Sequence, residues 1–260
     1  MIGPSRQRAP ESAKSAEYTE DRVAVGIATS SPRGVTARIA GHTFLPSLLR
    51  PANVLLDIGA NQGQFTRAMA RKFGCKVHAV EPNPHLCAAL HELAIPGVTV
   101  HGVALADTRG LRPFLLMNNS ESSHICATDN SSERVVQVEA VTLEDLISEI
   151  PDAGIDLIKI DVEGAELEVL ERVPTRALER VRQFTVEFHQ FMYPESRVRI
   201  EAVKNRFRGS GFWVVDFSRT NYDVLFVHPN VRPSPYMRAL IQYEKYKLRI
   251  GRGLPYRFGP

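Results

Sequence analysis

The chain of 260 residues has few cysteines, little net charge and no long apolar run, and each shortage removes a class of function. Cys75, Cys87 and Cys126 form an odd set without C-x-x-C spacing, which argues against a disulfide framework or a zinc site and leaves Cys75 and Cys87 as small core residues. A net charge of +3 is too small for a global nucleic-acid footprint. No stretch approaches the roughly 20 apolar residues of a membrane span. The first residues, 1–34, lack the apolar core of a signal peptide, so they are expected to be a disordered leader on a cytoplasmic protein. The dinucleotide fingerprint G-x-G-x-x-G is also missing, which counts against a nicotinamide-dependent oxidoreductase. Neither an Asn-Pro-Pro-aromatic motif nor a Pro-Cys nucleophile supports nucleobase methylation.

What the chain does contain is a hydrophobic content of 43% against 23% charged residues, ordinary for one sizeable globular domain plus tails. The most telling segment is 54–63, an apolar strand that ends in Asp57 and runs into a turn with Gly59 and Gly63 in a G-x-x-x-G frame. Glycines there admit close backbone approach, and the helix that follows, expected over 62–73, aims its free N–H groups at the same spot. The next strand ends in Glu81, 24 residues after Asp57 and near the offset of a ribose-binding acid. A carboxylate can accept from both ribose hydroxyls at once.

Strand and helix patterns continue to alternate, which predicts a parallel sheet with helices on both faces. A helix is expected over 36–49, ended by Pro51, and a strand over 98–103. The rhythm breaks at an insertion of about 108–141, read as two strands around a Ser/Asn-rich loop at 118–132. Thr142 to Asp145 reads as a capped helix start. Alternation then resumes, and the last two strands, 212–217 and 222–227, suit an antiparallel pair at one edge.

Two strands carry charge where helix-covered strands are normally apolar on both faces. Lys159, Asp161 and Glu163 share one side of their strand, opposite Ile158, Ile160 and Val162. In the neighbouring strand Thr185, Glu187 and His189 share a side in the same way. Such charges are costly unless paired or used, and their place at the carboxyl end favours use. A structural Lys159–Asp161 or Lys159–Glu163 ion pair is the plainer alternative.

Three segments together resemble the FkbM-type S-adenosylmethionine-dependent methyltransferases: Asp57-Ile-Gly-Ala-Asn-Gln-Gly-Gln-Phe-Thr66, Val80-Glu-Pro-Asn-Pro84, and Ile155-Asp-Leu-Ile-Lys-Ile-Asp-Val-Glu-Gly-Ala-Glu-Leu-Glu-Val-Leu170. The resemblance spans roughly residues 50–230. It implies an α/β, Rossmann-like class I methyltransferase fold with a mostly parallel seven-stranded sheet, and O-methylation of a sugar, glycolipid or polyketide-type hydroxyl. On that reading the cofactor S-adenosylmethionine is held by Asp57, Gly59, Ala60, Asn61, Gly63, Phe65, Thr66, Glu81, Pro82, Asn83, Ala104 and Leu105. Asp107 stands slightly late for an adenine contact. The catalytic set is Lys159, Asp161, Glu187 and His189, with His189 or Asp161 as the base and Glu187 orienting the acceptor. No metal is expected; the weaker arrangement places a divalent cation on Asp161, Glu187 and His189.

The loop 118–132 and the segment 191–194 are expected to shape the acceptor site. Beyond the methyltransferase domain, 35–230, the tail 231–260 is basic and aromatic. Met237, Leu240, Ile241, Glu244 and Leu248 fall near one helical face, starting after Ser234-Pro235 and stopping before Gly251. That stripe suits docking on the domain or on a second copy in a homodimer, or peripheral contact with a membrane. Nucleic acid is not an expected partner, although a nucleic-acid-binding module is the nonenzymatic alternative.

Overall fold

The computed structural model describes residues 35–49, 53–116, 124–125, 134–150, 154–190 and 194–251. The leader, Cys126 and most of the two segments expected to shape the acceptor site therefore lie outside the described residues.

The first element corrects an expectation. Instead of a helix over 36–49 the chain makes a hairpin, β1 (Ala37–Ile39) and β2 (His42–Phe44), followed by one 3₁₀ turn at Pro46–Leu48. Ala40 and Gly41, at φ 45° and 90°, form the two-residue turn. Positive φ at both central positions matches the twist of a tight hairpin and forbids a helix. Ala37, Ile39 and Phe44 are buried, and Asp223 holds the hairpin down: Thr43 N–H donates to it at 3.0 Å, Thr43 Oγ1 at 2.7 Å and Arg38 Nε at 3.2 Å.

The expected alternation follows: β3 (Val54–Ile58), α1 (Gln64–Phe73), β4 (Lys76–Val80), α2 (Pro84–Glu92) and β5 (Val98–His101). The strand expected over 98–103 stops at His101, because Ala104 and Leu105 leave the main sheet and pair elsewhere as β6 (Ala104–Leu105). With β7 (Gly110–Leu116), β8 (His124–Ile125) and β9 (Arg134–Val141), β6 forms a second sheet of order β6-β9-β7-β8, which is the insertion. Thr142 and Asp145 make the reciprocal cap of α3 (Leu143–Ser148). The main sheet resumes with β10 (Leu157–Ile160), α4 (Glu166–Arg172), α5 (Thr175–Leu178), β11 (Gln183–Val186), α6 (Arg197–Gly209), β12 (Trp213–Asp216) and β13 (Val224–Val227).

Seven strands lie in the order β12-β13-β11-β10-β3-β4-β5, and β13 alone runs opposite to the other six. Strand order reverses between β3 and β10, so a crevice opens at their carboxyl ends, the place where open α/β sheets bind ligands. One face is sealed by a large apolar cluster that takes in Ile58, Ile158, Ile160, Val186, Phe207 and Phe226. The opposite face carries Asp57, Lys159 and Thr185 in register across three strands, with the hairpin on the same side as Leu55, Leu157 and Phe65.

The final helix, α7 (Pro235–Gly251), docks on the domain, as its stripe suggested. Ile241 is buried with Leu45, Val215, Phe217, Leu225 and Val227, and Leu248 packs beside them. Glu244 accepts from the Val35 and Thr36 N–H groups at 3.0 and 3.1 Å and from the Thr36 hydroxyl. No described helix is long and apolar enough to cross a membrane.

Candidate functional site

Two clefts meet at the reversal point. The first, narrow cleft is lined by Gly59, Asn61, Glu81, Pro82, Ala104 and Leu105, with Val103, Phe114 and Ile125 along its apolar side. The second holds about 240 Å³ and is lined by His42, Ala60, Phe65, Lys159, Asp161, Glu187 and Tyr222, among others. Gly59, Asn61, Asp161 and Glu163 border both, so they form the shared wall.

Glu81 faces the first cleft with its carboxylate pre-positioned. One oxygen accepts from Asn61 N–H at 2.8 Å and the other from Asn83 N–H at 2.9 Å. Burial raises its pKa, and those two backbone bonds hold the rise back. Asn61 stands at φ 51° in the turn after β3, and its Oδ1 is buried without a hydrogen bond.

Asp57 does not line either cleft, contrary to its expected donor contact. It is fully buried; Oδ2 accepts from Thr66 Oγ1 at 2.6 Å, and Oδ1 lies 3.3 Å from Lys159 Nζ. An alternating strand that turns Leu56 and Ile58 into the apolar core turns Asp57 under the hairpin instead. Thr66 is buried with it, Asn83 caps α2, and Gly63 begins α1 at φ 75°, so these three also stand back from the clefts. Asp107 is taken by Arg172 at 2.5 Å.

The four residues expected to be catalytic converge, as their register predicts. Lys159 Nζ donates to Gly59 O at 2.6 Å and lies 3.5 Å from Asp161 Oδ2. Burial alone lowers the pKa of Lys159, but Asp57 and Asp161 outweigh it and keep the ammonium charged. Asp161 is likewise opposed by burial, yet Lys159, His42 and His189 hold its carboxyl well below the usual carboxylate range.

His189 lies between two acids. Its Nδ1 lies 2.8 Å from Glu166 Oε1 and its Nε2 3.2 Å from Glu163 Oε2. Burial lowers its pKa, but bonds to Glu163 and Glu166 prevail and push it up to about 11. Two flanking carboxylates favour the protonated ring over the neutral one that a general base requires. Glu166, which the sequence reading did not single out, also accepts from Val162 and Gly164 N–H, at 3.0 and 3.1 Å. It thereby closes the turn in which Glu163 adopts φ 56°.

Two further residues were missed. His42, brought in by β2, lies 3.4 Å from Asp161 Oδ2 and 3.9 Å from Glu187 Oε2. Tyr222 hydrogen-bonds Glu187. The pKa of Glu187 is pushed up to about 8, first by burial and then by Asp161, against the pull of His189, Tyr222 and Lys159.

That displacement has a defined sign. The folded state keeps a proton on Glu187 that the unfolded chain releases above its ordinary value of 4.5, so stability declines as pH rises from there to about 8. His189 loses stability in the same direction, from 6.5 up to about 11. In metal-free buffer Glu187→Gln should melt with the wild type at about pH 5 and above it, on the order of 5 °C, at about pH 8. An equal offset at both pH values in differential scanning fluorimetry would place the proton elsewhere.

A family model described as the methyltransferase FkbM domain matches residues 57–243, from the end of β3 into α7. The chain belongs to the FkbM methyltransferase family. This FkbM domain is 33% identical over 175 residues to "Methyltransferase sdnD" of Sordaria araneosa, covering 53% of this chain and 67% of that protein. It is 30% identical over 200 residues to "31-O-demethyl-FK506 methyltransferase FkbM" of Streptomyces tacrolimicus, covering 64% and 75%. It is 31% identical over 156 residues to "Hexuronic acid methyltransferase AglP" of Haloferax volcanii, covering 57% and 61%. The match takes in Asp57, Glu81, Lys159, Asp161, Glu187 and His189 but begins beyond the hairpin, so the FkbM domain model leaves His42 outside.

Proposed function

We propose that the chain is an S-adenosylmethionine-dependent O-methyltransferase that acts on a hydroxyl of a sugar, glycolipid or polyketide-type acceptor. The observation that carries this reading is the wall shared by the two clefts. Atoms that border both stand where a group passes from a molecule in one to a molecule in the other. The donor supplies a methyl group already activated on a sulfonium, so the protein's task is alignment and handling of the acceptor's proton.

Residues of the first cleft fit such a donor. Glu81, fixed by two N–H groups, retains acceptor capacity for ribose hydroxyls. The buried, unbonded Oδ1 of Asn61 suits a cationic amine, and Val103, Ala104, Leu105 and Phe114 suit the face of a purine. In the second cleft Asp161 and Glu187 receive the acceptor hydroxyl, while Lys159 ties the floor to Gly59 and His189 sets the acids' orientation. The names of the two relatives that state an acceptor, a hexuronic acid and a demethylated FK506, support a hydroxylated acceptor.

Calorimetric titration with S-adenosylmethionine, S-adenosylhomocysteine and NADH tests the donor. The first two should bind and NADH should not, and Glu81→Ala should weaken S-adenosylmethionine by roughly 10- to 100-fold, the worth of a lost charged hydrogen bond. Binding of NADH alone would overturn the reading. Incubation with methyl-labelled donor and cell extract then identifies the product, and label on nitrogen or carbon would remove O-methylation.

A further inference from the structure

We propose that His42, Asp161 and Glu187 bind one first-row divalent cation in the second cleft, against the acceptor oxygen; the inference rests on the methyl-transfer reading above. One donor atom from each residue lies within 4.8 Å of the other two. The side chain of His42 is 1% exposed, its Nδ1 has no hydrogen-bond partner among the described residues, and its Nε2 faces two carboxylates. A buried imidazole left so is costly unless it has a purpose. Its Nε2 stands 3.4 Å from Asp161 Oδ2. Two donors each about 2.1 Å from a shared cation lie about 3.0–3.5 Å apart at octahedral or tetrahedral angles. Glu187 Oε2, at 3.9 Å, closes the set with a small movement of a long side chain.

The ring is also held in place. Phe65 packs edge-on against it at 5.8 Å, and the Asp223 bonds to Thr43 anchor the next residue. A second grouping, Asp161, Glu163 and His189, is equally compact. It is disfavoured because both nitrogens of His189 already have carboxylate partners, at 2.8 and 3.2 Å, whereas Nδ1 of His42 has none. The proposed set puts His42 in the place that the sequence reading gave to His189.

Charge points the same way. When all are ionised, Asp57, Asp161, Glu163, Glu166 and Glu187 surround two cations, Lys159 and His189. One imidazole with two carboxylates suits Mn²⁺, Fe²⁺ or Zn²⁺ better than the all-oxygen preference of Mg²⁺ or Ca²⁺. A cation there lowers the pKa of a bound hydroxyl. The O–H proton leaves to solvent, the oxygen forms its bond to the methyl carbon, and the carbon–sulfur bond breaks with its electron pair remaining on sulfur.

The test uses the full chain, stripped with chelator and titrated with MnCl₂ by calorimetry and electron paramagnetic resonance. One Mn²⁺ should bind per chain, and pulsed spectra should show nitrogen modulation from an imidazole ligand. His42→Gln should abolish that modulation, and His42→Gln and Glu187→Gln should each weaken Mn²⁺ by roughly tenfold or more. Absence of stoichiometric Mn²⁺ binding, or bound Mn²⁺ without imidazole nitrogen in the wild type, overturns the proposal whatever the variants do. S-adenosylmethionine is titrated into the same stripped protein. Donor binding without metal binding refutes the metal alone, whereas loss of both refutes the methyl-transfer reading.

Discussion

Replacement of Lys159 by methionine is expected to cost about 3–5 kcal/mol of folding stability, the usual consequence of removing one partner from a buried ion pair. Lys159 is 4% exposed, and its ammonium lies 2.6 Å from Gly59 O, 3.3 Å from Asp57 Oδ1 and 3.5 Å from Asp161 Oδ2. Methionine fills the volume but leaves the fully buried Asp57 with Thr66 as its remaining hydrogen-bond donor. A drop of roughly 10 °C in melting temperature follows for a domain of this size. If the penalty comes from the stranded carboxylate, Asp57→Asn in the Lys159→Met background should recover a substantial part of it. A double variant whose loss is simply the sum of the two single losses, measured by urea denaturation, would show that the pair is not coupled. Donor affinity should fall as well, because Lys159 secures the carbonyl of a residue that borders both clefts.

The main sheet and most of the site were legible because strand alternation is a strict code. Once 157–160 and 183–186 are strands, Lys159 and Thr185 must share a side, and Glu187 must emerge beside Asp161. Register then brings Lys159 alongside Asp57 without further information. Alternation does not say what covers that side. The hairpin was read as a helix because Ala40 occupies a left-handed position normally held by glycine or asparagine. With the hairpin went His42, whose neighbours Asp161 and Glu187 are more than 100 residues away in sequence. Asp57 shows a second limit. Its place at the end of β3 was legible, whereas the direction of its carboxylate depends on Thr66 and Lys159 arriving from two other elements. His189 shows a third, since Glu163 and then Glu166, which reaches back from α4, raise its pKa far above the ordinary histidine value.

Gly59→Ala is the other substitution with a large expected effect, and its reason differs from the one the motif suggests. A Cβ on Gly59 would lie 1.7 Å from Asp161 O and 2.8 Å from Asp161 C, and real Cβ contacts below 3.0 Å essentially do not occur. The colliding group is backbone, so no rotamer relieves it, and Asp161 N–H is itself fixed to Ile58 O at 3.1 Å. The positive φ of 78° adds strain for any residue with a side chain. The missing Cβ therefore serves the joint between β3 and β10 before it serves any ligand. Separating that joint moves Asp161 and Asn61 together, so about 4 kcal/mol or more of stability and measurable donor binding should be lost at once. Gly63→Ala is the control. It shares the positive φ, at 75°, but its Cβ would meet side-chain ends rather than backbone, the nearest being Leu90 Cδ2 at 2.5 Å, so a cost of about 1–3 kcal/mol with donor binding retained is expected. Should Gly59→Ala melt like Gly63→Ala and bind S-adenosylmethionine as the wild type does, the joint is looser than the contact implies, and the shared wall loses its role in aligning the two substrates.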